Sequence, residues 1–218
     1  KKYRISDIEF DFDFYKNDFK LLDVKLKTNN NIISIPKIIA KKKQNKLEVL
    51  GESKSKKIFL KKEDISNFIE LDELLFDIKK LEFGYSNTFS FEIDNKLKTK
   101  NLRIDSKIDL KDLEISNNLN LVKIFPESKK NINFFDHQIK ISLYNDKINI
   151  DGFGKILFQN NEDKIEYKIE KTKKKLKFNT QLDIIDNKIK LDFLNYQNNL
   201  KSKLELVFEG TKNKNGNY

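Results

Sequence analysis

The sequence predicts an all-β, mostly antiparallel protein, a long meander whose strands form an elongated, curved amphipathic sheet or a taco-like groove, with room for one short helix. Three observations carry this. Apolar residues recur at every other position in segment after segment, the period of a half-buried strand. The short gaps between segments are rich in Asn and Asp, which tolerate left-handed backbone and close hairpins. None of those gaps is long enough for a crossover helix, so successive strands pair antiparallel.

Taken in order, Ile8, Phe10, Phe12 and Phe14 alternate with acids and open the meander. Leu22, Val24 and Leu26 follow, then Ile33 and Ile35 before Pro36. Leu47 with Val49, and Ile58 with Leu60, read as short strands. Residues 63–76 fit two patterns: Ile65, Phe68, Ile69 and Leu75 share a helical face, while Leu74, Phe76 and Ile78 share a strand face. Strand spacing returns with Phe89, Phe91 and Ile93, then Leu102, Ile104, Ile108 and Leu110. Pro36 and Pro126 fall at the ends of apolar runs, where a missing N–H least damages a ladder.

The second half is more regular. Ile139, Ile141 and Leu143 make one segment, and Ile148, Ile150, Ile156 and Phe158 the next, with Gly152 and Gly154 in the same parity. Ile165, Tyr167 and Ile169 follow, then Leu176, Phe178, Leu182 and Ile184, then Ile189, Leu191 and Phe193, and last Leu204, Leu206 and Phe208. Turn residues separate them at Asn145–Asp146, 160–163, 171–175, Asp186–Asn187 and Asn198–Asn199. Residues 1–210 read as a single elongated β domain, with the longest connection and only weak boundary at 126–133. The polar tail 211–218 reads as disordered.

Composition narrows the function. The chain is 38% hydrophobic and 36% charged, polar for a compact globule but too rich in Phe and Ile for a disordered chain. Its net charge of +10 favours anionic partners, yet only Arg4 and Arg103 are arginines. Base readout leans on the bidentate fork of Arg, so a nucleic-acid role is not expected. The Lys, Asn, Ile and Phe excess has the style of an AT-rich genome. With no Cys there is neither a disulfide nor a thiolate metal site. No Met is present, even at position 1, so the chain is expected to follow a removed segment or to be part of something longer, with any signal or anchor outside it. No run of eighteen apolar residues could span a bilayer as a helix.

Motifs that carry chemistry are missing, and the chain is expected not to be an enzyme and to need no metal or cofactor. His137, the sole histidine, follows Phe134, Phe135 and Asp136 with no nucleophile at a fixed spacing, and reads as a solvated turn residue. Gly152 and Gly154 lack the third glycine of a phosphate loop and read as a strand bulge or bend. Asn149, Asp151 and Gly152 mimic part of a calcium loop, but Lys147 and Phe158 occupy its first and last ligand positions. Asp11 and Asp13 alternate with phenylalanines and read as a solvated strand face.

An amphipathic sheet must have its apolar face covered. A second sheet could do so, giving a sandwich that binds another protein through loops or a strand edge, as a surface or adhesin-like protein does. Acyl chains could do so instead, in a groove. A strand of nine or ten residues spans ~30 Å, close to the hydrocarbon core of a bilayer. Moving a sixteen-carbon chain out of water is favourable by more than ~10 kcal/mol, whereas moving it from bilayer to an equally apolar groove is nearly neutral, so such a groove conducts lipid. The lining residues would be the aligned apolar set from Ile148 to Phe208 named above, and rim lysines would attract anionic headgroups.

From Phe134 to Gly210 the runs FFDHQIKISLYNDKINIDGFGKILFQ, DKIEYKIEKTKKKLKFNTQLDI and IKLDFLNYQNNLKSKLELVFEG resemble the C-terminal part of AsmA-like envelope proteins, the TamB and YhdP group, in the Lys/Asn-rich style of epsilon-proteobacterial members. LRIDSKIDLKDLEIS at 102–116 shares the style more loosely. The resemblance implies a periplasmic β-groove in a Gram-negative envelope, anchored to the inner membrane by an N-terminal segment absent here. It also implies phospholipid as the partner, carried toward the outer membrane, with no catalytic residues. It does not fix an oligomeric state.

Overall fold

A computed structural model describes residues 5–28, 31–62, 77–116, 120–198 and 203–213. Four strands come first: β1 (Ile5–Tyr15), β2 (Asp18–Thr28), β3 (Asn31–Lys43) and β4 (Lys46–Lys61). The long central pair is β5 (Asp77–Asp94) and β6 (Thr99–Ser116). After a connection holding a 3-10 turn at Leu121–Lys123 come β7 (Asn131–Tyr144), β8 (Lys147–Leu157), β9 (Asp163–Lys171) and β10 (Lys175–Ile184). A two-residue pair, β11 (Lys190–Leu191) and β12 (Tyr196–Gln197), precedes β13 (Leu204–Asn213), which returns beside β10.

Eleven strands form one antiparallel sheet in the order β1-β2-β3-β4-β5-β6-β7-β8-β9-β10-β13, and it is not closed into a barrel. The all-β meander is therefore observed as one eleven-stranded sheet, with only the two-residue β11–β12 pair outside it among the described residues. Tight hairpins close it. Lys16, Gln44 and Asn145 take left-handed φ values of 53°, 40° and 50° as the first residues of two-residue turns.

Several segments depart from the sequence reading. Leu47–Val49 and Ile58–Leu60 belong to one strand, because a bulge between Ser55 and Ile58 shifts parity without ending the pairing to β5. Ile189–Phe193 is not a strand of the sheet. Leu191 pairs only with Tyr196, and Phe193 sits in a 3-10 turn. Thr211, Lys212 and Asn213 are not disordered, since they pair in register with Lys177, Leu176 and Lys175. The ambiguous segment 63–76 lies outside the described residues.

The core lies at one end of the strands, where the 120–130 and 185–198 connections fold across the sheet. Ile78, Ile115, Ile132, Ile156, Leu182 and Ile184 meet Phe125, Phe158 and Ile189 there. Phe125 and Phe158 pack edge to face with ring centroids 4.7 Å apart. Backbone bonds pin the connections: Lys129 N–H donates to the Phe158 carbonyl at 2.7 Å, and Lys190 N–H to that of Ile124 at 2.9 Å. A buried amide network finishes the work. Asn187 Nδ2 donates to Asp163 Oδ2 and to the Asn161 carbonyl, both at 2.7 Å, while Asn198 accepts from Ile189 N–H at 2.7 Å. Burial pushes the Asp163 carboxyl up from its ordinary value, against the hydrogen bonds from Asn187 and Ile185 that hold it down.

His137 corrects the solvated-turn reading, for it has no exposed surface. It follows Asp136, whose φ of 53° marks a bulge between Phe135 and Gln138 opposite β8. The bulge turns the imidazole onto the apolar face, where Gly154 makes room: a Cβ at Gly154 would overlap the ring. The neighbouring Gly152 clears the same space for its cross-strand partner Tyr167. Nε2 of His137 lies 2.9 Å from the Lys155 carbonyl, which only accepts, so Nε2 carries the proton and Nδ1 accepts from Tyr167 Oη at 3.3 Å. Burial lowers the His137 pKa and pushes that of Tyr167 up to about 12.

Two expectations follow from this pair. The unfolded chain takes up a proton at His137 near pH ~6.5 while the folded one resists, so this part of the stability is complete above that pH and declines below it. The thermal midpoint should fall between pH 7 and pH 5, and His137→Gln should flatten the dependence in that window. Gly154→Ala should lower stability by ~1–3 kcal/mol in urea melts, because bulge backbone holds the ring in place.

Candidate ligand-binding face

The alternation seen in the sequence becomes one face because the register keeps it so. Across β6, β7, β8 and β9 one cross-strand row runs Ile108, Ile139, Gly152 and Tyr167. Phe12 and Phe14 of β1 stand opposite Leu21 and Phe19 of β2 on that same side, and Ile38 and Ala40 of β3 continue it. The apolar face therefore spans the whole sheet, wider than the Ile148–Phe208 set read from the sequence.

Cover on this face is uneven. At the capped end Ile184 and Ile189 have no exposed surface. Away from it Phe178 is 39% exposed and Phe208 47%, and at the far edge Phe12 and Phe14 reach 64% and 71%. The predicted lining residues divide accordingly. Ile148, Ile150, Ile165, Tyr167, Ile169, Leu176, Leu204 and Leu206 are half-buried on the face, with Phe178 and Phe208 more open. Ile156, Phe158, Leu182, Ile184 and Ile189 lie in the filled core, and Leu191 packs against it. Phe193 is 82% exposed on its turn beyond the sheet.

A polar break crosses the apolar face at mid-sheet. Ser53, Asn87 and Ser106 occupy one cross-strand row, and Asn87 Nδ2 donates to Ser53 Oγ at 3.4 Å. Tyr85 beside them also bonds Ser53, while burial raises its pKa. Reading strand by strand overlooks this row, because each member is one small polar residue inside an otherwise apolar alternation.

The opposite face is charged. A trough of about 600 Å³ on it is lined by Lys54, Lys107 and Lys140 together with Glu52, Asp105 and Asp151. The charges balance and Asp105 accepts from Arg103 Nε at 2.8 Å, so the trough selects neither anion nor cation. Among the described residues no group of three His, Asp or Glu side chains is placed to hold a metal ion, and no helix is long and apolar enough to cross a membrane. His137 has no solvent approach for general-base work.

The division of the apolar face is measurable as stability. Ile184→Ala should cost ~2–5 kcal/mol and Phe12→Ala less than ~1 kcal/mol in urea titrations, since only the first opens a cavity. Comparison with protein families, curated proteins and solved structures returns no match for this chain.

Proposed function

We propose that this protein binds lipid acyl chains along its apolar sheet face and so shields phospholipid between inner and outer membrane, as the AsmA-like resemblance implies. One observation carries the reading: the sheet is eleven strands wide and unclosed, and away from its capped end the apolar face has no second sheet over it among the described residues. An apolar patch of that breadth on a protein in water favours a greasy occupant. An acyl chain supplies one with no demand for hydrogen bonds, at ~0.8 kcal/mol per CH₂ removed from water. Phe178 and Phe208, on neighbouring strands and partly open, are the contacts we assign to the chain. The capped core supplies stability that needs no ligand. A periplasmic location with an inner-membrane anchor belongs to the same proposal.

Native mass spectrometry with lipid extraction tests it, on protein purified from a bacterial host without detergent. Bound phospholipid is expected, and it should disappear in a Phe178→Lys, Phe208→Lys variant whose circular dichroism is unchanged. A lipid-free, monodisperse wild type, or a variant that keeps its lipid, would overturn the proposal.

A further inference from the structure

Among the described residues the sheet has two open edges, β1 and β13. An open edge offers unpaired N–H and C=O groups to any strand that can align with it, so its side chains decide what is accepted. On β1 those side chains fall in two rows. Asp7, Glu9, Asp11 and Asp13 lie on one face, and Ile8, Phe10, Phe12 and Phe14 on the other, each of the latter more than half exposed. The row is acidic in a chain whose net charge is +10.

The inner side of the same strand shows what such rows accept. β2 sets Lys27, Lys25 and Lys20 opposite Asp7, Glu9 and Asp13, and Leu26, Leu21 and Phe19 opposite Ile8, Phe12 and Phe14. Lys25 Nζ lies 3.9 Å from Glu9 and Lys27 Nζ 3.8 Å from Asp7, while the Phe12 and Phe19 rings have centroids 6.5 Å apart. β2 does not saturate the row. Asp11 faces Leu22 across the ladder, and neither Asp11 nor Asp13 forms an ion pair among the described residues.

A second copy of this chain is a poor partner. The other open edge, β13, carries Glu205 and Glu209 on its polar face, and joining β13 to β1 of another molecule would set acid against acid, as would joining β1 to β1. We propose that the open edge of β1 docks an extended basic segment of another protein, with lysines alternating with apolar residues, as a twelfth strand of the sheet. Main-chain bonds supply the attachment, and the acid row selects for lysine. This inference stands independently of lipid binding.

The test uses the full chain and a fluorescein-labelled peptide of sequence DFKLLDVKLKT, the β2 strand that β1 already accepts. A scrambled peptide of equal composition is the control. The β2 peptide is expected to bind more tightly than the scrambled one by fluorescence anisotropy, and to slow hydrogen exchange along β1. An Asp11→Lys, Asp13→Lys variant should weaken binding roughly tenfold, from two cross-strand pairs turned repulsive. Should that variant lose its fold, Asp11→Asn with Asp13→Asn replaces it, with several-fold weakening expected. Equal binding of both peptides, or binding untouched in the folded acid variants, would overturn the proposal. So would loss of binding on changing Glu205 and Glu209 instead, or sedimentation showing β1-dependent self-association without peptide.

Discussion

The parity of side chains along each strand is the constraint on which the rest of this molecule rests. A slip of one residue in any hairpin would carry a strand's whole apolar set to the charged face. The bulges therefore matter as much as the regular ladder, because each shifts parity and must be followed by residues that re-enter the right face. Between Ser55 and Ile58 the β4 backbone skips, and Ile58 and Leu60 resume opposite Phe83 and Leu81. There the regular pairing of β4 to β3 has run out, and side chains take over the ladder. Asn31 accepts from Phe59 N–H at 2.8 Å and donates to the Phe59 carbonyl at 3.2 Å, while Ser55 Oγ donates to the Ile32 carbonyl at 2.6 Å. The His137 bulge is the same device with an aromatic ring in place of a hydroxyl.

Most ion pairs of the charged face involve well exposed side chains, and such pairs contribute ~0–1 kcal/mol each. They set solubility and register more than stability. Stability comes from the capped end, where the Phe125, Phe158, Ile184 and Ile189 cluster is sealed by the Asn187, Asp163 and Asn198 network. The network satisfies loop backbone that would otherwise be buried without partners.

Strands and hairpin turns were legible in the sequence because a period of two survives wherever a strand is regular, as in Ile165, Tyr167 and Ile169. What a single sequence conceals is the bulge. Parity breaks split β4 into two apparent strands, and Asp136 made His137 look like a turn residue by placing charge just before it. The reverse error occurred at Ile189, Leu191 and Phe193, where three alternating apolar residues in a five-residue stretch suit a 3-10 turn as well as a strand. Thr211 to Asn213 look disordered by composition, yet β10 offers them a ladder, and backbone hydrogen bonding overrides side-chain polarity. The candidate face was legible as a row of residues. Its division into filled core and open surface was not, because that depends on where two connections fold back.

The two ends of the apolar face answer different physical demands. A face this broad cannot stay bare along all its length, since too little burial would leave nothing to offset the entropy of ordering so many strands. Filling it completely would remove the surface available to an occupant. The chain settles this by sending the connections at 120–130 and 185–198 to the same end of the sheet, so that packing is concentrated there. The remaining open surface and open edges then become liabilities for self-association, and the acids on both edge strands answer that liability. An uncovered apolar face and an acidic edge are thus linked features of one design, in which repulsion between copies lets the sheet keep its greasy side available.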